Sequence, residues 1–154
     1  MVTKFVRDQF PQAKFKKIYD ATIDGWRAKD FHRCCDKKGW TLTIVETTKS
    51  FIFGGFTKAE WESSWAGFYK SCPHSFLFSV NERSKYRITS GANDAIRCYS
   101  SYSAWFGGRW GALVIASDSN NNTDSYCHAN RASFKLPAAK GSNYPSINEG
   151  EHNF

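Results

Sequence analysis

The chain has 154 residues, with 21 Lys and Arg against 14 Asp and Glu for a formal net charge of +7, and it is 41% hydrophobic and 17% aromatic. That length predicts a single domain with a substantial core, and no second domain is expected. No run approaches the roughly 18 to 20 consecutive apolar residues that span a bilayer, and the opening MVTKFVRDQF has no apolar signal core, so the chain is expected to be cytoplasmic.

The charge is uneven. Residues 1–38 carry ten Lys or Arg against five Asp, a net +5, whereas residues 39–154 carry eleven against nine, a net +2. Lys14, Lys16, Lys17, Arg27, Lys29, Arg33, Lys37 and Lys38 are therefore the candidate partner-binding residues. A basic face gains Coulomb energy and steering toward an acidic protein, anionic lipid or nucleic acid; the plainer alternative is a solvated surface that serves solubility.

In chain order, Pro11–Tyr19 places Phe15, Ile18 and Tyr19 at helical spacing with Lys14, Lys16 and Lys17 facing elsewhere, which predicts an amphipathic helix. Ala28–Lys38 repeats the pattern with Ala28, Phe31, Cys34 and Cys35 on one stripe, His32 near the exposed flank and Gly39 as a C-terminal cap. Trp40–Val45 and Phe51–Phe56 read as the two arms of a hairpin around the turn Glu46–Ser50. The second arm is apolar on both faces and is expected to be covered on both, with Gly54 and Gly55 marking a bulge or corner.

Thr57 and Glu60 have the spacing of a capping box, and Trp61, Trp65, Phe68 and Tyr69 then fall at i, i+4, i+7 and i+8, predicting an aromatic helical stripe that ends at Cys72-Pro73. Strands are predicted at Ser75–Val80, Ala95–Tyr99, Ala112–Ala116 and Ser133–Leu136, with Asn81–Tyr86 as a loop. Gly107, Gly108 and Gly111 precede a strand with no helix after it, so they fit a close backbone turn and not a phosphate cradle.

Reaction chemistry is sparse. Asp118–Asp124 spaces its oxygens like a calcium loop, but Thr123 and Ala129 stand where the glycine and bidentate glutamate belong. Cys34, Cys35, Cys72, Cys98 and Cys127 are odd in number and lack CxxC spacing, which predicts reduced thiols and leaves the sequon Asn121-Asn122-Thr123 unused. No nucleophile elbow or metalloprotease motif occurs, and Cys127 and His128 would diverge on a strand. No catalytic residue, metal site or cofactor is expected.

The order of these features resembles a known family. Lys29-Asp-Phe-His-Arg-Cys34, the hairpin Thr41–Val45 with Ile52-Phe-Gly-Gly-Phe56, Ser75-Phe-Leu-Phe-Ser79, Phe106-Gly-Gly108 before a strand ending in Ser117-Asp118, and Ser125–Asn130 resemble a TLDc domain, the module of the oxidation-resistance proteins, over roughly residues 15–154. The resemblance implies an α+β fold, a two-sheet antiparallel β-sandwich flanked by a few short helices. It implies a non-enzymatic interaction module linked to protection against oxidative stress, with subunits of the V-type proton ATPase as possible protein partners and nucleic acid not expected. The family's final strand is missing after Asn153-Phe154, so either homo-oligomerisation through an open sheet edge or a tail, Lys140–Phe154, folded over that edge is expected. Two other functions fit the residues: a carbohydrate-binding sandwich using exposed Trp105, Trp110 and Asn120–Asn122, and a thiol-based redox protein using Cys34, Cys35 or Cys127.

Overall fold

The computed structural model describes residues 2–88, 92–127 and 134. Among them the helices are α1 (Lys4–Arg7), α2 (Ala21–Asp24) and α3 (Ala28–Cys35), with a single 3-10 turn at Ala92–Asp94. The strands are β1 (Thr41–Glu46), β2 (Ile52–Thr57), β3 (Phe68–Lys70), β4 (Phe76–Ser79), β5 (Ser84–Arg87), β6 (Ile96–Cys98), β7 (Tyr102–Phe106), β8 (Leu113–Ala116) and β9 (Tyr126–Cys127). They form two antiparallel sheets, ordered β1-β2-β4-β5 and β3-β6-β7-β8-β9. With the short helices this is the α+β sandwich expected from the sequence.

The hairpin forms as its alternation predicts, in unbroken register from Thr41↔Thr57 to Glu46↔Ile52. Pairing with β4 on the other side makes β2 an interior strand, and its two faces meet different layers. Phe53 enters the cluster between the sheets with Leu77, Tyr86, Ile96, Phe106 and Leu113. Phe56 points the other way, into a second cluster with Phe76, Phe78 and Val6.

The chain's start covers that outer face. Val6 of α1 is buried, Phe5 stacks on Phe78 with centroids 5.2 Å apart, and Phe10 lies against Phe56 and Trp40. Lys85 of β5 anchors this layer, donating to the Phe5 carbonyl at 3.0 Å and to Gln9 Oε1 at 3.2 Å while its ammonium sits 3.7 Å above the Phe76 ring. Burial holds its pKa below the ordinary lysine value.

Gly54 and Gly55 do not make the predicted bulge, because both ladders run through them without a shift. They serve close approach instead. A Cβ on Gly54 would lie 1.9 Å from the Thr43 carbonyl oxygen, and one on Gly55 would lie 2.6 Å from the Phe106 ring that packs across from the facing sheet. The rings thus occupy the space where side chains would stand.

Three other expectations fail for physical reasons. Pro11–Tyr19 has no helix: Phe15 and Ile18 stay 41% and 37% exposed, so no apolar stripe is buried, and nine isolated residues are too few for a stable helix in water. The aromatic stripe is not a helix either. Gly67 sits at φ +67° and Phe68–Lys70 is strand β3; Trp61 is fully buried, while Trp65 is 88% exposed. Thr57 closes β2 and its hydroxyl accepts from the Ala59 N–H at 3.0 Å, a local turn and not a helix cap. Finally, Asn81–Tyr86 is a loop only to Arg83, after which β5 begins.

Trp61 ties the layers together. Its indole N–H donates to Thr41 Oγ1 at 2.9 Å, its rings meet Phe31 and Phe106 edge-on, and its backbone bridges Asp36. Beyond β9, Phe134 bridges Ile88 and is buried in the same cluster, within the predicted strand Ser133–Leu136. The rest of that strand and the tail Lys140–Phe154 lie outside the described residues.

Candidate functional site

The candidate surface is built on α3 and the chain leading to it. Ala28, Phe31, His32 and Cys35 turn inward, so Lys29 and Arg33, four apart, share the outward side. The N-terminus of α3 is held by the Asp30 carboxylate, which accepts from the Arg27 N–H at 3.3 Å, and by Ser117 Oγ, which accepts from the Ala28 N–H at 3.1 Å. Tyr19 joins the preceding segment to it: the ring meets Phe31 edge-on and the hydroxyl donates to the Gly25 carbonyl at 2.8 Å. Burial raises that phenol's pKa to about 12, so it stays protonated.

All eight predicted basic residues are exposed. Lys17 pairs with Asp20 at 2.8 Å, Arg27 with Asp118 at 3.6 Å, and Arg33 donates to the Asp24 carbonyl at 3.1 Å. Lys14, Lys16, Lys29, Lys37 and Lys38 make no side-chain ion pair or hydrogen bond among the described residues. The reason lies in where the acids went. Asp20 caps α2 through the Thr22 N–H and hydroxyl, Asp24 accepts from the Asp20 N–H, Asp30 from the Arg27 N–H, and Asp36 pairs with His32. Hydrogen bonds from Lys17 and Thr22 hold the Asp20 carboxyl down to about 2. Four of the five acids in this region are thus used in local hydrogen bonds, which leaves its surface charge predominantly positive.

His32 is not on the exposed flank; it is 5% exposed. Nδ1 lies 2.7 Å from Asp36 Oδ1, and Nε2 lies 3.2 and 3.0 Å from the carbonyl oxygens of Tyr99 and Tyr102 in the β6–β7 turn. Among the described residues the ring is held from both nitrogens, by the Asp36 carboxylate on one side and the two carbonyls on the other. It fixes α3, and with it Lys29 and Arg33, against the five-stranded sheet. Helical periodicity misses this because a histidine four residues before an aspartate also reads as an exposed pair.

The alternative sites fare differently. Trp105 is buried at 5% exposure and its indole N–H is used by the Gly108 carbonyl at 3.2 Å, so it offers no sugar platform. Asn122 donates to the carbonyls of Ser117 and Asp118 at 2.8 and 2.9 Å, which closes the Asp118–Asp124 turn internally. Among the described residues no group of His, Cys, Asp and Glu has the arrangement of a metal site.

Of the five cysteines only Cys34 is partly exposed, and Cys35, Cys72, Cys98 and Cys127 are buried. Burial pushes the Cys35 thiol up to about 12, with Cys34 and Asp36 adding, and burial raises Cys98 as well. For Cys72 burial acts upward, but hydrogen bonds from Ser75, the Lys58 N–H, Thr57 and the His74 N–H outweigh it and bring the pKa below the ordinary value. Because the thiolate is the nucleophile, native protein treated with iodoacetamide at neutral pH is expected to be labelled quickly at no more than Cys34, as read by intact mass. Fast labelling of three or more thiols would contradict this burial.

Residues 2–151 match the family model described as the TLDc domain. No curated protein matches the chain. Among the described residues no helix is long and apolar enough to cross a membrane.

Proposed function

The chain belongs to the TLDc domain family, and on that premise we propose that it is a non-enzymatic interaction module that docks an acidic protein partner through its N-terminal basic face. The observation that carries this reading is the set of five exposed lysines without ion pairs among the described residues, Lys14, Lys16, Lys29, Lys37 and Lys38, beside acids committed to local hydrogen bonds. Such an uncompensated face steers an acidic partner and sets its orientation. Phe15 and Ile18 alternate with Lys14, Lys16 and Lys17 and remain exposed, supplying apolar contact area within the same strip. The family resemblance points to subunits of the V-type proton ATPase as the partner, and to protection against oxidative stress as the setting. No disulfide or catalytic thiol is needed for that role.

The test is charge reversal at lysines that hold nothing in the fold. Lys14→Glu, Lys16→Glu and Lys29→Glu together are expected to weaken binding to the immobilised cytosolic sector of a V-type ATPase by about tenfold or more. The melting temperature should stay unchanged, since surface positions without partners contribute little to stability. Equal affinity of the variant and the unaltered chain overturns the basic face, and no binding by either overturns that choice of partner.

A further inference from the structure

Three neighbouring strands of the five-stranded sheet place Tyr69, Arg97 and Trp105 side by side. Tyr69 of β3 is the direct partner of Arg97 on β6, and Ile96↔Phe106 aligns β6 with β7 so that Arg97 and Trp105 share the face turned away from the core. A register shift between Tyr102 and Trp105 brings these two, three residues apart, onto the same face, where their rings meet edge-on at 4.9 Å. Tyr99 stacks on Tyr102 at 5.8 Å. The Arg97 guanidinium lies 4.7 Å from the Tyr99 ring, 4.8 Å from Trp105 and 5.5 Å from Tyr69.

Among the described residues this guanidinium has aromatic neighbours but no acceptor. Its Nε is buried without a hydrogen-bond partner, and no carboxylate or carbonyl pairs with the group among the described residues. The hydroxyls of Tyr69, Tyr99 and Tyr102 likewise have no hydrogen bond among the described residues. A partly desolvated cation with unused donors is costly unless something supplies oxygen. Gly67 closes one side, since a Cβ there would stand 3.0 Å from Arg97 Nη2 and 3.2 Å from the Tyr99 ring. Trp65, 88% exposed, stands in the same loop, which Ser64 fastens by accepting from the Ser100 N–H at 2.8 Å.

We propose that Arg97 and its tyrosines form a carboxylate-binding site that takes an acidic side chain of a partner protein, with Trp65 receiving an adjacent apolar residue. A planar carboxylate matches the guanidinium fork in shape and charge. A phosphate dianion would call for a second cation, and none of the eight basic residues lies over these rings. The site is therefore independent of the basic face and survives if that face proves inert.

The test follows the arginine Nε–Hε resonances of the ¹⁵N-labelled chain during titration with acetyl-Leu-Glu-amide, acetyl-Leu-Gln-amide or inorganic phosphate. The Glu peptide should shift the Arg97 resonance saturably and bind at least about fivefold tighter than either other probe, because only it offers a planar anion. Arg97→Gln, read by titration calorimetry because it lacks the reporting resonance, should lose that preference, as should a Tyr69→Phe and Tyr99→Phe pair in part, while Trp65→Ala should weaken both peptides alike. A Gln peptide or phosphate that matches the Glu peptide, or an Arg97 resonance that does not move, overturns the assignment in the unaltered chain whatever the variants do.

Discussion

Trp61→Ala is expected to lower the stability of the fold by about 3 to 5 kcal/mol, the range for removing a large aromatic side chain from a packed core. Trp61 is fully buried, touches Phe31 of α3 and Phe106 of β7, and donates its indole proton to Thr41 of β1. Its loss opens a cavity where the helix and both sheets meet and leaves a buried hydroxyl short of a partner. Trp65→Ala is the control. At 88% exposure it should change stability by less than about 0.5 kcal/mol, although the two tryptophans sit four residues apart in one apparent stripe. Urea unfolding of both variants checks the pair, and similar losses would mean that residues 61–69 pack as one helical face after all.

His32→Ala is expected to cost about 2 to 3 kcal/mol, the upper part of the range for leaving buried hydrogen-bonding groups without a partner, since three acceptors lose the ring at once. The variant strands the Asp36 carboxylate and the carbonyls of Tyr99 and Tyr102 together. His32→Gln keeps a side-chain donor and should recover part of the loss. Hydrogen exchange should then show α3 opening before the hairpin in the alanine variant, because β1 and β2 do not depend on this ring. An unchanged exchange rate in α3 would remove His32 from its anchoring role.

The hairpin was legible in the sequence because its second arm is apolar on both faces, a pattern that only an interior strand satisfies. Helix α3 was legible because Ala28, Phe31 and Cys35 repeat at helical spacing and bury as that spacing requires. The same rule misled at Trp61–Tyr69. Helical spacing alone does not show whether four aromatics share a direction, and here Gly67 at positive φ and a three-residue edge strand send them to different surroundings. The N-terminus misled in another way. Its apolar residues do cover a face of the sheet, but Val6 and Phe10 do so from a four-residue helix and a turn, while the lysine-rich segment that follows forms no helix.

The basic residues were nameable from charge alone, whereas which of them carry unspent charge was not. That distinction depends on cap and turn hydrogen bonds that take Asp20, Asp24, Asp30 and Asp36 out of competition. The Arg97 site left no trace in the sequence either. It needs the cross-strand register of β3, β6 and β7 and a one-residue shift in β7 before the arginine and its rings come together.

The claim that the basic face docks an acidic protein is tested most directly by the salt dependence of binding to the purified cytosolic sector of a V-type ATPase. Affinity of the unaltered chain should fall by about tenfold or more as ionic strength rises from roughly 0.05 to 0.3 M, because the contacts lie at the surface where mobile ions screen them. The Lys14→Glu, Lys16→Glu, Lys29→Glu chain should bind weakly at low salt and lose little more. Parallel salt curves for the two chains, at equal affinity, would contradict the account and leave the lysines as a solvated surface.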